Sequence, residues 1–245
     1  MQSILSKYDP ITLDEMKDIR LMNRIDTKFI ATMASLTELL EMASHAYRMQ
    51  ETGGERNMSY HTTYFDTTDY RMFYAHQAGH ANRQKVRFRT YVGSNLQFLE
   101  VKTKNNHGRT KKKRIEVGDM DLSDDRKQAF LSEHLHCDTS LLLPCNENSF
   151  NRITLVNRAK TERLTIDTHL CFRNLLTGCS RELPNLAVIE LKRDGLSCSP
   201  VLEMLRLLRI HPHGFSKYCI GSALTNGDLR VNRFKPKLRE IGRLG

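Results

Sequence analysis

The segment Lys85–Tyr91, KVRFRTY, constrains the fold more than any other stretch of the chain. Its residues alternate, so that a lysine and two arginines fall on one side of a strand while Val86 and Phe88 fall on the other. The apolar side can be buried, and the other side carries three cations about 7 Å apart. The segment therefore predicts a strand with one apolar and one strongly basic face, an arrangement that antiparallel sheets tolerate.

The same alternation recurs in segments that begin near residues 24, 59, 97, 110, 150, 161 and 186. Helical spacing and capping residues predict helices over 12–23, from Ser35, over 123–136 and from Ser199. The stretch 70–79 reads as a short helix that stops at Gly79, 104–109 as a turn and 137–149 as a connection. Many strands adjacent in sequence, with helices between some of them, predict an α+β fold. We expect a mostly antiparallel β-barrel with helices packed outside.

The chain shows no internal repeat, linker or sharp change of composition over its 245 residues. We therefore predict a single domain over 1–245, with its motifs within 20–220 and a basic, solvated tail over 230–245. The six cysteines lack CxxC spacing, which favours reduced thiols over a zinc site or a disulfide scaffold. No segment has the apolar length of a signal peptide or a membrane span, so we expect a cytoplasmic protein.

The net charge of +10 and the pI near 9.4 indicate a polyanionic partner, such as nucleic acid, nucleotide, polyphosphate or an anionic membrane. Tryptophan is absent and aromatic residues are sparse, which argues against single-stranded nucleic acid. Two adjacent cations 6–7 Å apart repel each other by roughly 2–3 kcal/mol at an effective dielectric near 20. A bound polyanion removes that cost, so a barrel with its charged face inward would form a basic tunnel for phosphates.

Nine short motifs resemble, in order, those of the VTC domain, the polyphosphate-making domain of the vacuolar transporter chaperone complex. This family is part of the triphosphate tunnel metalloenzyme (CYTH-like) superfamily, and the resemblance covers roughly residues 20–220. The motifs are RIDTKF (24–29), TTYFD (62–66), VRFRTY (86–91), LEVKTK (99–104), TKKKRI (110–115), FNRI (150–153), ERLTID (162–167), VIELK (188–192) and FSKY (215–218).

The resemblance implies an antiparallel tunnel that binds ATP and polyphosphate, and an ATP-dependent polyphosphate polymerase that works with Mn²⁺ or Mg²⁺. It assigns the metal to Glu190. Independently of the resemblance, we interpret Glu100 and Asp167 as carboxylates that orient arginines rather than as metal ligands. A membrane protein is a further candidate partner, which would place this cytoplasmic domain at a membrane. The matching catalytic positions are Lys28, Arg87, Arg89, Lys102, Arg152, Arg163 and Lys217, and the matching substrate-binding positions are Lys112, Arg114, Lys192 and Ser216.

One departure from the superfamily bears on the reaction. Hydrolases of the superfamily begin with ExExK, whose glutamates hold metal, whereas this chain has Arg24, Asp26 and Lys28 in the same register. That difference favours the polymerase. The alternatives are a tripolyphosphatase or nucleoside triphosphatase in the same tunnel, a non-catalytic polyphosphate- or nucleotide-binding module, and a nucleic-acid binder with an open basic face.

Overall fold

A computed structural model describes residues 1–17, 19, 24–106 and 109–244. The strands are β1 (Pro10–Ile11), β2 (Arg24–Thr32), β3 (Tyr47–Gln50), β4 (Met58–Asp66), β5 (Arg83–Tyr91), β6 (Leu96–Lys104), β7 (Thr110–Glu116), β8 (Leu143–Asn157), β9 (Glu162–Asn174), β10 (Ser180–Leu183) and β11 (Leu186–Asp194). The helices are α1 (Gln2–Leu5), α2 (Leu13–Lys17), α3 (Met33–Ala43), α4 (Arg71–Gln77), α5 (Asp125–His134), α6 (Pro200–Leu207), α7 (Lys217–Thr225) and α8 (Lys235–Leu244).

The strands form one sheet whose main path runs β2-β11-β9-β8-β4-β5-β6-β7, with antiparallel neighbours throughout. Three short strands attach to it: β10 pairs with β9, β3 with β8, and β1 runs parallel to β3. The sheet curls into a half-barrel, which confirms the predicted α+β class and antiparallel architecture. Across the described residues, no pairing joins β2 to β7, so the strands themselves do not close the ring.

Charges on distant strands show how strongly the sheet curls. Lys102 on β6 interacts electrostatically with Glu190 on β11, although β5, β4, β8 and β9 separate these two strands along the sheet. Lys85 on β5 likewise interacts with Lys28 on β2. Salt screens charges that lie more than about 10 Å apart, so these side chains face one another across the concavity. We call this inner surface the concave face.

The alternation of the strands separates the concave face from an apolar convex face. On β5 and β6, Val86, Phe88, Leu99 and Val101 are buried together, and helix α5 covers them. On β2, β8, β9 and β11, the matching positions pack against α1, α3 and α6. The predicted helix layer on the outside of the sheet is therefore present.

Helices α7 and α8 pack on the concave side of the sheet. This placement differs from the sequence prediction, which puts all helices outside the barrel. Ile220 of α7 and Ile241 of α8 are buried with Ile30 and Val188, which lie two residues from Lys28 and Glu190 and so on the same face of their strands. These two helices therefore cover one end of the concave face. Gly221 permits the approach, because a Cβ there would lie 2.5 Å from Phe172 Cδ1.

Several predicted boundaries are wrong. The helix expected over 12–23 is α2, Leu13–Lys17, with the capping exchange between Thr12 and Glu15 in place; residues 18 and 20–23 lie outside the described part. The segment 137–149 is expected to be a connection, but strand β8 already begins at Leu143. Its polar residues Asn146 and Asn148 pair with Tyr64 and Thr62 of β4 and so belong to the sheet rather than to a loop. The tail expected to be solvated forms α8, whose apolar side is buried.

One further prediction is confirmed. Helix α4 ends before Gly79, which has the positive φ of 75° that favours glycine. All six cysteines lie within the described residues, and none of them is bonded to another. Among the residues described, no helix has the length and apolar content that a membrane span requires.

Candidate functional site

The strand register places the predicted site residues side by side on the concave face. Lys28 lies opposite Glu190, and Arg152 lies opposite Asp167. Arg87 lies opposite Glu100, which in turn lies opposite Arg114 on the next strand. Because residues two apart along a strand share a face, the remaining candidates follow on the same surface. These are Arg89, Lys102, Lys112, Arg163 and Lys192.

Glu100 holds two cations at one side of the site. Its carboxylate is fully buried and accepts a hydrogen bond from Arg87 Nε at 2.6 Å and one from Lys112 Nζ at 3.1 Å. Burial alone would raise the pKa of Glu100, but Arg87, Arg89 and Lys112 outweigh it and lower the pKa to about 2. The carboxylate is therefore ionised at neutral pH and fixes the arginine in place, as the sequence suggested for this acid.

Within the described part of the chain, Arg89 and Lys102 are cations that form no ion pair with a carboxylate. Arg89 is 7% exposed, and its Nε lies 3.5 Å from Thr62 Oγ1, a weak contact. Burial, together with Arg87 and Arg152, lowers the pKa of Arg89 to about 10. Arg87 and burial likewise hold the pKa of Lys102 well below its usual value. Both groups would gain from an anion on the concave face, which would offset repulsion and lost hydration.

Asp167 organises the centre of the site. It is 3% exposed and accepts two hydrogen bonds from Arg152, from Nε at 2.6 Å and Nη2 at 2.8 Å, in a bidentate pair. Its Oδ2 also accepts a hydrogen bond from Lys217 Nζ, which reaches in from the start of α7. Burial would raise the pKa of Asp167, but Arg152 and Lys217 hold it well below its ordinary range. Burial lowers the pKa of Lys217 to about 7, against the raising effect of Asp167.

The N-terminus of α7 brings Ser216 to the same surface. Its Oγ accepts a hydrogen bond from the backbone N–H of Cys219 and so caps the helix. The same oxygen accepts a hydrogen bond from Lys85 Nζ at 2.8 Å. Ser216 thus links the start of α7 to β5, and this link brings Lys217 to the same surface as Arg87 and Arg89 of β5.

Glu190 lies between two lysines at the other side of the concave face. Lys28 Nζ is 3.1 Å from its Oε1, and Lys192 Nζ is 2.8 Å from its Oε2. Burial would raise the pKa of Glu190, but the two lysines keep it well below its usual range. Within the described ranges, no three His, Cys, Asp or Glu side chains come together as a metal site. A lone carboxylate whose two oxygens are both taken by ammonium groups does not fit a divalent cation held by the protein alone.

Two predicted residues lie at the margins. Arg163 Nη2 donates to the backbone oxygen of Met16 at 3.3 Å, and its buried Nε has no partner among the described residues. Arg114 is exposed, and its guanidinium lies 4.4 Å from the centre of the Phe98 ring. Neither contacts the acids that organise the other cations, so both could turn toward an anion at low cost.

The sequence reasoning left three participants out of the candidate site. Lys85 was placed on the basic face but not assigned to the site, and the structure ties it to Ser216. Tyr60 and Phe150 stack on each other 5.2 Å apart beside the site arginines. The sequence does contain a sign of their position. Phe150 stands two residues before Arg152, and Tyr60 two residues before Thr62, so each ring lies on the same face of its strand as that residue.

The chain resembles known proteins at the level of family and, distantly, of solved structures. A model of the VTC domain family matches residues 23–226. Among curated proteins, nothing matches the chain significantly.

Three solved structures illustrate the distant likeness. A candidate adenylate cyclase from Bacillus halodurans is 14% identical, over 80% of this chain and 96% of that chain, with a TM-score of 0.48. A candidate adenylyl cyclase from Hippeastrum, with a dominant triphosphatase activity, is 14% identical over 82% and 96% of the two chains, with a TM-score of 0.49. The PH1012 protein from Pyrococcus horikoshii is 10% identical over 78% and 96%, with a TM-score of 0.41.

Proposed function

This chain belongs to the VTC domain family, and on that premise we propose that it is an ATP-dependent polyphosphate polymerase. The coarser part of this assignment, a protein that handles polyphosphate or triphosphate in a curled sheet, follows from the family. The polymerase reaction, the site residues and the identity of the metal are our proposals. A membrane-protein partner and a cytoplasmic location stay predictions from the sequence.

The observation that carries the proposal is the excess of cations over carboxylates on the concave face, where Arg87 and Arg89 are buried and most of the other cations are half-buried. Glu100, Asp167 and Glu190 each contact two cations, and among the described residues neither Arg89 nor Lys102 makes an ion pair with a carboxylate, although Glu100 attracts both electrostatically. Such a surface repels itself until an anion binds. A linear polyanion such as triphosphate or polyphosphate can contact the cations of several strands at once, which a single phosphate cannot.

The proposed reaction needs positioning and charge neutralisation more than covalent help from the protein. A terminal phosphate oxygen of the chain attacks the γ-phosphorus of ATP, a new P–O bond forms, and the bond to the β,γ-bridging oxygen breaks to release ADP. The attacking oxygen is already anionic, so no general base is required. Arg87, Arg89, Arg152 and Lys217 would hold the two phosphate groups in line and stabilise the charge of the transition state.

The divalent metal belongs, in this proposal, to the substrate. Each oxygen of Glu190 is already paired with an ammonium group, so an ion held by the protein would compete with Lys28 and Lys192 for this carboxylate. Mg²⁺ or Mn²⁺ would therefore arrive as the complex with ATP, as divalent ions on triphosphates commonly do. Glu190 itself serves to orient Lys28 and Lys192 toward the phosphates.

The pairing of Arg24 favours the polymerase over the tripolyphosphatase. Arg24 Nε lies 2.7 Å from Asp26 Oδ1, so the acid at this end of β2 is already neutralised by a cation of its own strand. In the hydrolases that the sequence resembles, both positions carry glutamates that hold metal. A site without those free acids binds the polyanion but lacks protein ligands for a metal that would activate water.

The test is to incubate the purified protein with ATP and Mn²⁺, to resolve the products on a gel stained for polyphosphate, and to assay free phosphate in parallel. We expect long chains from the wild type and their loss in Lys217→Ala and Glu190→Gln. A matched pair on β7 serves as the control, because Lys112 contacts Glu100 while Lys113 lies on the opposite face of the same strand. Lys112→Ala should reduce the yield, and Lys113→Ala should not.

Other outcomes decide between the alternatives. Free phosphate without chains would overturn the polymerase and assign a triphosphatase. Neither product, with tight binding of tripolyphosphate, would leave a non-catalytic binding module.

A further inference from the structure

Two stacked aromatic rings lie beneath the cations at the centre of the site. The rings of Tyr60 and Phe150 are 5.2 Å apart and nearly parallel, with an interplanar angle of 2°. Phe150 is 2% exposed and Tyr60 is 9% exposed, so both rings are fixed by their surroundings. We call this pair the aromatic platform.

Three site cations contact the platform. Lys217 Nζ lies 4.2 Å from the centre of the Phe150 ring. The guanidinium carbon of Arg152 lies 5.3 Å from Phe150 and 5.2 Å from Tyr60, and that of Arg89 lies 5.9 Å and 5.6 Å from the same rings. All these distances fall within the range in which a cation is attracted to the negative face of an aromatic ring.

The aromatic platform can hold the three cations together without the negative charge that a carboxylate would add. The three cations repel one another; Asp167 forms ion pairs with Arg152 and Lys217, while Arg89 makes no ion pair among the described residues. A second acid would hold them together but would cancel the charge that phosphate binding requires, and it would repel the phosphate itself. An aromatic face attracts the cations without adding a negative charge, so their full charge stays available to an anion.

We infer that Phe150 and Tyr60 are positioning residues, which hold Arg89, Arg152 and Lys217 together so that these cations converge on one phosphate group. The inference rests on the proposed function of the concave face, since it names what prepares that face for the anion. Neither ring has to touch the reacting atoms. The platform acts through the three cations.

The sharpest test replaces Phe150 with leucine, which keeps an apolar side chain but removes the ring. Phe88→Leu is the matched control, because Phe88 is 3% exposed, lies on the convex face between Arg87 and Arg89 in sequence, and, across the described residues, has no cation over its ring. Phe150→Tyr is the conservative rescue, because it restores an aromatic face. Each variant is titrated with tripolyphosphate by calorimetry, and its folding is checked by circular dichroism.

We expect Phe150→Leu to bind tripolyphosphate about tenfold to a hundredfold more weakly, a change of about 1.4–2.8 kcal/mol by the conversion of tenfold per 1.4 kcal/mol. Phe88→Leu should bind within about twofold of the wild type, and Phe150→Tyr should regain most of the lost affinity. In the ATP assay, Phe150→Leu should lower kcat/KM with a rise in KM, since the phosphate-binding cations lose their arrangement.

Two results would overturn the platform. The first is unchanged tripolyphosphate binding by a folded Phe150→Leu protein, and the second is an equal loss in Phe88→Leu, which would point to packing alone. A wild type that binds tripolyphosphate but makes no chains from ATP would refute the polymerase proposal by itself, because the binding comparison does not depend on turnover.

Discussion

Arg89 should be a residue whose removal stabilises the folded protein while it damages binding. Its guanidinium is 7% exposed and has no carboxylate partner in the described part of the chain. Burial and the neighbouring Arg87 and Arg152 lower the pKa of Arg89 from 12.5 to about 10. A shift of one pKa unit corresponds to about 1.4 kcal/mol, so the charged side chain costs about 3 kcal/mol of folding free energy at neutral pH.

The sign of this cost follows from the direction of the shift. A base with a lowered folded-state pKa destabilises the fold wherever it is charged, which is at every pH below about 10. The penalty disappears only as the pH rises from about 10 to 12.5. Arg89→Leu removes it and forfeits cation–π contacts of about 1 kcal/mol, so we expect a net gain in stability of about 1–3 kcal/mol.

Arg87→Leu should have the opposite effect on stability from Arg89→Leu, although the two arginines lie on the same face of β5. Its loss leaves the fully buried Glu100 with Lys112 as its remaining ion-pair partner. Breaking a buried ion pair by removing one partner costs about 3–5 kcal/mol, and because Lys112 still holds Glu100, Arg87→Leu should be destabilised toward the lower end of that range. The two substitutions remove arginines that lie two residues apart on the same face of β5, and the two guanidinium groups differ in their contacts: Arg87 pairs with Glu100, whereas Arg89 lies over the rings of Tyr60 and Phe150.

Urea unfolding followed by circular dichroism measures both effects, since the chain has no tryptophan for fluorescence. With tripolyphosphate at 100 times its Kd, the wild type should gain about 2.7 kcal/mol, and Arg89→Leu should gain much less at the same concentration. A loss of stability of more than about 1 kcal/mol in Arg89→Leu without ligand would refute the argument that an unpaired charge is held ready for an anion.

Two further predictions concern α7. Burial lowers the pKa of Lys217 to about 7, so its ammonium group loses the proton above that pH when no anion is bound. Tripolyphosphate affinity should therefore fall by up to about tenfold per pH unit as the pH rises through 7. Calorimetry of Lys217→Met should show a weaker dependence of this affinity on pH. Gly221→Ala should destabilise the protein by about 1–3 kcal/mol in urea unfolding, because its Cβ would meet Phe172 at 2.5 Å. Gly242→Ala on α8, where a Cβ meets nothing within 4 Å, should instead be neutral or stabilising, and an equal loss there would contradict the packing argument.

The sequence predicted the strands of the concave face because their pattern is local. Alternation along KVRFRTY requires only the period of a strand, and the structure places Arg87 and Arg89 on one face and Phe88 on the other. Which acid serves which cation depends on register between strands, so the sharing of Asp167 by Arg152 and Lys217 could not be derived from either segment alone.

Long-range packing also decided where the last helices lie. The tail is so rich in lysine and arginine that it reads as solvated, yet Ile241 is 1% exposed against the concave side of the sheet. Three well-spaced apolar residues among the charges, Leu238, Ile241 and Leu244, suffice to dock α8 once a surface is available. The overall composition of a helix does not show how its residues are divided between its two faces. Helix α8 has a basic face and an apolar face, and the apolar face packs against the sheet.

The ratio of acids to cations on the concave face argues most directly for what the site binds. Each of the carboxylates Glu100, Asp167 and Glu190 contacts two cations, so it orients both of them and leaves one positive charge over. One acid for each cation would give a rigid but neutral surface, and two acids for each cation would suit metal ions. A carboxylate shared by two cations yields a surface that is fixed in geometry yet still positive, because the acid cancels only half of the charge it orders. That combination suits a substrate which is itself a chain of closely spaced negative charges, and it would be of little use to a protein that bound a neutral ligand.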